Sequence, residues 1–422
     1  MTRQLYSLLL WLALPLILTR LLWRSRRQVA YRQRLGERLS WTPAPRADLW
    51  CHAVSVGEVQ AAAPLLAHLL SINPDLRILV TTTTPTGAAR VRALFGERVQ
   101  QRYLPFDLPQ LMQRFVAQVQ PQRVLVLETE IWPNLLAICA EREIPVLLIN
   151  ARLSARSARG YARLGSFTSA TLAQFHLIAA QTAADAERFI ALGADSARVA
   201  VMGNLKFDQR VPAELPTQAA ALRATWGGAE RPVWVAASTH EGEETVIVAA
   251  QQLLRAQVPT ALLVLVPRHP ERFERVATLV AQQNMPLVRR STRAEVVATT
   301  AVLLGDSMGE VPLFLAASDV AFIGGSLVAV GGHNPLEAAA VAVPVLVGPH
   351  TFNFAAMTAD LLALGAARQV TDAATLAAAV AEWLTDTELR TAAGTAGLAL
   401  VAQQRGAVLR VVALMDDFGI RS

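Results

Sequence analysis

Short runs rich in Val, Leu and Ile alternate with amphipathic stretches along nearly all of this chain, and this alternation limits the fold more than any other feature. In the first half, strands are expected at Asp48–Ser55, Leu76–Thr83, Val99–Pro105, Arg123–Leu127, Val146–Asn150, near Leu177–Ala180 and at Val199–Met202. Helices are expected between them at Glu58–Ser71, Pro85–Phe95, Pro109–Val119 and Pro133–Arg142. A second set of strands is expected at Pro232–Ala237, Thr260–Pro267, Ala301–Leu304, Val320–Ile323 and Val343–Val347, and an Ala-rich helical stretch at Ala373–Asp417. The strand runs are apolar on both faces, as strands of a parallel sheet covered by helices are. The fold class expected is α/β, with doubly wound parallel sheets.

At 422 residues the chain exceeds what one core organises, so two domains are expected. The polar stretch FDQRVPAELPT carries two prolines and reads as the connection. The division expected is residues 1–30 as an N-terminal membrane helix with its basic flank, 31–207 as one Rossmann-like domain, 208–217 as linker and 218–422 as a second, whose last helix can pack back on the first. Ligands of such sheets bind beyond the carboxyl ends of the strands, so functional residues are sought just after strands.

Leu5 to Leu18 is apolar, broken only by Ser7 and Pro15, and is followed by Arg20, Arg24, Arg26, Arg27, Arg32 and Arg34. The run is short for a span, where roughly 20 residues are usual. Charge follows it instead of preceding it, unlike a cleaved signal. A signal anchor and a helix lying in the headgroup layer both remain open, and either places the rest at a cytoplasmic membrane face. The net charge of +6 favours an anionic surface or phosphate-bearing partner. Of 39 basic residues all but Lys206 are arginine, which draws attention to the one position where a compact ammonium is kept.

The strand-end motifs carry the chemistry. Ser55, Gly57 and Glu58 follow the first strand: Gly57 allows a tight turn, and Glu58 is either a helix-capping acid or a general base. Glu128 and Glu130 follow the fourth strand, and Arg152 the fifth. Lys206 stands at the end of the first domain, where a cation can stabilise a departing phosphate. In the second half, Ser238 and Thr239 precede a helix as caps or phosphate donors. Arg268 is a natural anion ligand, with His269 beside it. Gly325 lies in a glycine loop whose amides can approach a ligand. Asn334, Pro335 and Glu337 read as the cap, first turn and third position of a helix. P-loop, HExxH, CxxC, GxSxG and DxD patterns are missing, and the arginines form no aromatic-interleaved stripe, so nucleic-acid binding fits poorly.

HAVSVGE, TTTTPTG, YLPFDLP, ETEIWPN, NARLSARS, GNLKFD, PRHPERF, MGE, FIGGSL and GGHNPLE together resemble the motifs of bacterial Kdo (3-deoxy-D-manno-octulosonic acid) transferases, from Arg32 to Phe354. The resemblance implies a GT-B fold, two Rossmann-like domains facing across a cleft, with the first binding the acceptor and the second CMP-Kdo. It implies inverting transfer of Kdo from CMP-Kdo to a lipid A precursor at the inner membrane, with no cofactor or metal and no nucleic-acid partner. By the family pattern Glu58 is the base, and Glu128 and Lys206 stabilise the transition state. Pro267, Arg268, Met308, Gly309, Glu310, Asn334, Pro335, Leu336 and Glu337 hold CMP. The competing readings are a lipid A disaccharide synthase, a UDP-sugar epimerase, or a non-catalytic membrane-bound sugar-nucleotide-binding protein.

Overall fold

A computed structural model describes residues 1–26, 29–208 and 211–418. Arg27 of the basic flank and positions 209 and 210 of the expected linker lie outside the described residues. The chain divides into two compact units, Met1–Arg210 with Gln404–Ser422, and Val211–Gln403.

Among the described residues, the first unit is built on seven parallel strands: β1 (Leu49–His52), β2 (Ile78–Thr82), β3 (Val99–Tyr103), β4 (Arg123–Leu127), β5 (Val146–Ala151), β6 (Leu177–Ala180) and β7 (Val199–Val201). Their order is β3-β2-β1-β4-β5-β6-β7, so the winding reverses between β1 and β4. The alternation of side chains supplies two separate cores. Leu49, Cys51, Ile78, Val80, Leu125 and Leu127 face one way, and Trp50, Leu79, Val124 and Val126 the other. Each fully buried aliphatic side chain contributes about 1.5–3 kcal/mol. The last helix, Ala407–Asp417, belongs to this unit and closes the first core with Ala407, Val408, Val411 and Met415.

The second unit repeats the plan with β8 (Val233–Thr239), β9 (Leu262–Pro267), β10 (Leu287–Arg289), β11 (Val302–Leu304), β12 (Val320–Ile323), β13 (Val345–Val347) and β14 (Ala367–Gln369). The order β10-β11-β9-β8-β12-β13-β14 reverses between β8 and β12. The two edge strands, β10 and β14, escape the sequence reading because each carries an arginine and is only partly buried, so no apolar run marks it. Buried rows such as Trp234, Ala236, Leu263, Leu265 and Phe322 fill a core under the helices Glu243–Gln257 and Ala373–Thr385.

Two expectations change. Leu215, Pro216 and Thr217 are not linker but the first turn of the helix Leu215–Ala224, where proline's missing N–H costs nothing. Gly57 does not make a tight turn; it lies in the helix Val56–Ile72 with a negative φ. A second stretch, Thr387–Asp417, is also long and apolar enough to cross a bilayer. Gly406, at φ 96°, breaks it, and Leu400, Val401, Val411 and Met415 are buried.

Candidate active site

In the first unit the strands flanking the winding reversal, β1 and β4, both end in carboxylates, which is where such a sheet presents its ligand-facing residues. Glu58 is the third residue of its helix, and its side chain folds back to cap it. Val54 N donates to Oε2 at 2.8 Å and Ser55 Oγ to Oε1 at 3.2 Å. The capping geometry is therefore real, and it does not exclude base chemistry. Burial, with 8% of the residue exposed, pushes the Glu58 carboxyl up to about 8, and the charges of Glu128 and Glu130 add to this. A carboxyl held near neutrality suits proton abstraction. At the end of β1, His52 is fully buried against Thr81 and Trp132, and burial pushes its imidazole down to about 4, so it is neutral.

Glu128 adopts a left-handed backbone, φ 56°, at a cost of about 1–2 kcal/mol for a residue with a Cβ. That turn brings its carboxylate to 3.0 Å from Lys206 Nζ, with both side chains mostly covered. Burial raises the Glu130 carboxyl as well. Arg152 contributes through its backbone: Arg152 O accepts from Thr129 Oγ1 at 2.7 Å, while the residue itself is exposed.

The turn that carries Lys206 is held from several directions. Asn150, itself left-handed at the end of β5, accepts from Leu205 N at 3.1 Å, and Asn204 Oδ1 accepts from Lys206 N at 3.0 Å. Asp208 accepts from Gly406 N and Val408 N, both at 2.6 Å, and so caps the last helix of the chain. Sequence reasoning missed this role because the partners lie about 200 residues apart.

In the second unit β8 and β12 flank the reversal. Ser238 is left-handed at φ 59° and, with Thr239, still part of β8; neither caps the next helix, whose N-cap is Gly242. Thr239 Oγ1 instead donates to Glu244 at 2.9 Å. The glycine loop after β12 also departs from expectation. The amides of Gly325, Ser326 and Leu327 donate to the buried Glu243 carboxylate at 2.7, 3.0 and 2.9 Å, and His240 N donates to it at 2.8 Å. The loop amides are thus spent on an internal acid. Gly324 is needed because a Cβ there would sit 2.5 Å from the Ser238 carbonyl.

What the loop does present is a group of imidazoles. His240 Nε2 and His333 Nε2 lie 2.8 Å apart, with rings nearly parallel, and the His269 ring packs edge-on at 5.4 Å from His240. Gly325 sits against this pair, where a Cβ would come within 3.3 Å of His333. Burial, then the charge of Arg268, pushes His333 down to about 4. His240 is lowered for the same first reason. One neutral ring donates through its Nε2–H to the other, so the accepting ring keeps its Nδ1–H, close enough to Arg268 to feel its charge. His240 and His333 were not singled out from sequence, since nothing links two histidines 93 positions apart.

The remaining candidates divide by exposure. Pro267, Pro335 and Leu336 are buried and shape the site through backbone and packing. Asn334 Oδ1 accepts from Leu336 N at 3.2 Å. The helix it precedes has only four residues, Leu336–Ala339, with Pro335 as its N-cap, so Glu337 is its second residue. Met308 is exposed, Gly309 is left-handed at φ 85°, and Glu310 pairs with Arg290 at 2.7 Å and with Ser307. A groove of about 720 Å³ reaches Ser307 and Glu310 and is rimmed by Arg289, Arg290 and Arg293; it does not reach Arg268, His269 or Glu337. Among the described residues no group of three or more His, Cys, Asp or Glu is placed to hold a metal ion.

The family profile described as 3-deoxy-D-manno-octulosonic-acid transferase matches residues 33–209, and that of group 1 glycosyl transferases matches residues 231–399. A 3-deoxy-D-manno-octulosonic acid transferase of Haemophilus influenzae is 42% identical over 424 residues, covering 99% of each chain. One from Bordetella pertussis is 39% identical over 436 residues, covering 99% of this chain and 100% of its own. Among solved structures, a UDP-GlcNAc 2-epimerase from Neisseria meningitidis bound to UDP-GlcNAc superposes with a TM-score of 0.57 at 13% identity, over 84% of this chain and 98% of its own. That likeness speaks to fold alone, two Rossmann-like domains of the GT-B class. Identity at this level over the full length leaves one assignment: the chain belongs to the 3-deoxy-D-manno-octulosonic acid (Kdo) transferase family of glycosyltransferases.

Proposed function

We propose that the protein transfers Kdo from CMP-Kdo to a lipid A precursor, with inversion at the anomeric carbon, at the cytoplasmic face of the inner membrane. The observation that carries the reading is the buried, near-neutral Glu58 beside the Glu128–Lys206 ion pair, at the strand ends where the first sheet reverses. Glu58 takes the proton from the acceptor hydroxyl. The oxygen forms its bond to the anomeric carbon of Kdo as the bond to the phosphate oxygen breaks, and CMP leaves with the electron pair. Glu128 and Lys206 offer charge of both signs to a transition state with a cationic sugar and an anionic leaving group. The second unit takes the donor: Arg268 and the histidine cluster meet its anionic groups, and Glu310, Asn334 and Glu337 the nucleoside. The step uses no metal and no cofactor besides the donor.

The test is a transfer assay in detergent with freshly generated CMP-Kdo and a tetraacylated lipid A precursor, followed by mass spectrometry. A gain of Kdo units on the lipid that Glu58→Gln abolishes supports the reading and counts the residues added. No gain with CMP binding intact would remove the acceptor assignment. Loss of both transfer and CMP binding would remove the donor as well.

A further inference from the structure

The sequence leaves open whether the N-terminal helix spans the bilayer or lies on it. The helix, Arg3–Ser25, is tied to the first unit at both ends. At its start, Arg3 pairs with Glu141 at 3.1 Å, Tyr6 OH donates to Asp107 at 3.0 Å and Ser7 Oγ to Asn134 at 3.1 Å. The Tyr6 ring also lies 6.0 Å from that of Phe167. Asp107 is 1% exposed and takes the amides of Asn134 and Leu135 as well, so this anchorage reaches into the packed body. In its last turn, the Arg24 guanidinium lies over the ring of Tyr31, beyond the helix end, at 5.6 Å. Arg34 then donates to the side chain and carbonyl of Gln101, at 2.7 and 3.0 Å, on the edge strand β3. Phe106 N donates to Arg38 O at 3.0 Å, so adjacent residues, Phe106 and Asp107, hold the chain after the helix and the start of the helix itself.

The covering of the helix agrees. Tyr6, Ser7, Leu10, Ala13, Leu14, Ile17, Leu18, Leu21 and Ser25 are all partly or wholly covered, a single face at helical spacing from the first turn to the last. The opposite face exposes Leu5, Leu9, Leu12, Leu16 and Trp23 at 45, 51, 70, 73 and 60%.

We infer that this helix does not cross the bilayer: it lies in the plane of one leaflet, with the Leu5–Trp23 row in the acyl boundary and the protein body beneath it. A 23-residue helix is about 34 Å long, close to the hydrocarbon thickness. Standing across the membrane, it would carry Arg3 to the far side, and with it Glu141, Asp107 and Asn134, which belong to the same folded unit as the basic flank. Lying flat, it breaks none of these contacts. The partner is an anionic lipid surface, because Arg20, Arg24, Arg26 and Arg32 are all exposed around the C-terminal end of the row. The first residue of the chain is then on the same side as the catalytic body.

Single cysteines at the start of the helix, Thr2→Cys and separately Gln4→Cys in the full-length protein, test this with a membrane-impermeant maleimide. The native Cys51 and Cys139 are buried, so the unaltered protein is the unlabelled control. Labelling in inside-out vesicles, with protection in intact spheroplasts until detergent is added, is the expected result. Labelling in intact spheroplasts would show the N-terminus on the far side and overturn the inference. Partition onto phosphatidylglycerol-containing vesicles gives a second readout. Leu12→Glu and Leu16→Glu should each weaken it about tenfold, as expected for withdrawing one buried leucine. Unchanged partition in the double variant would dismiss the exposed row as the lipid contact.

Discussion

Replacing Glu58 with glutamine should produce an enzyme that is inactive yet more stable, increasingly so at high pH. In the fold the Glu58 carboxyl sits at about 8, against 4.5 for an unburied glutamate, with burial the first cause. The unfolded chain therefore gives up this proton more readily than the folded one. The stability tied to Glu58 is whole below pH 4.5 and falls as pH rises, until the folded carboxyl itself ionises near 8. At 1.36 kcal/mol per unit the penalty is about 2 kcal/mol at pH 6 and nearly 5 kcal/mol at pH 9, a growth of about 3 kcal/mol. Glutamine escapes it and keeps both bonds, since its oxygen can accept from Val54 N and its amide can donate to Ser55 Oγ. The assay is thermal unfolding of both proteins at pH 6 and pH 9. The gap between their melting temperatures should widen by about 6–10 °C. Other groups titrate alike in the two proteins, so parallel curves would refute the buried carboxyl as the source. In the same pH range kcat/KM of the unaltered enzyme should climb about tenfold per unit below 8 and then level off, because only the ionised fraction acts as base. A flat profile would remove Glu58 from that role.

Three further outcomes follow from the geometry. Lys206→Arg should lower kcat/KM by tens-fold or more while CMP binding, measured by calorimetry, is unchanged, because a planar fork cannot occupy the 3.0 Å point contact with Glu128 without displacing it. His333 has its folded pKa lowered to about 4 from 6.5, so the stability it confers is whole above 6.5 and is lost as pH falls toward 4; His333→Gln should resist acid unfolding better than the unaltered protein in that window, and equal acid midpoints would contradict the burial of that ring. Gly348→Ala should abolish soluble expression or collapse the melting transition, since its Cβ would fall 2.2 Å from the Ser326 carbonyl, whereas Gly160→Ala, with open space around it, should gain about 0.5–1 kcal/mol.

The lowered histidines and the raised Glu58 have a common origin. Each is shut off from water by packed neighbours in the loop or first helical turn that follows a strand at a winding reversal, so its charged form is disfavoured, and for His333 the charge of Arg268 adds to this. Glu243 shows the converse arrangement. Four backbone amides converge on it, and it serves the loop instead of the ligand.

Much of the architecture is written locally. Runs such as Arg123–Leu127, Leu177–Ala180 and Val320–Ile323 are strands to the residue, because their apolar pattern and bounding turn residues are contained within a few positions. Glu58, Glu128, Lys206 and Arg268 are legible for a related reason: a parallel sheet puts chemistry after strands, and strand ends can be read along the chain. Pairing across the fold cannot be read that way. The meeting of Lys206 with Glu128, His240 with His333, Asp208 with the last helix and Glu243 with the glycine loop each joins positions far apart in sequence. The same holds for the N-terminal helix. Its apolar composition announces a membrane, but whether it crosses or rests on one depends on Tyr6 finding Asp107 and Arg34 finding Gln101. Periodicity is a property of neighbours along the chain, whereas partner choice, burial and the pKa shifts they cause come into being only when distant segments share one packed interior.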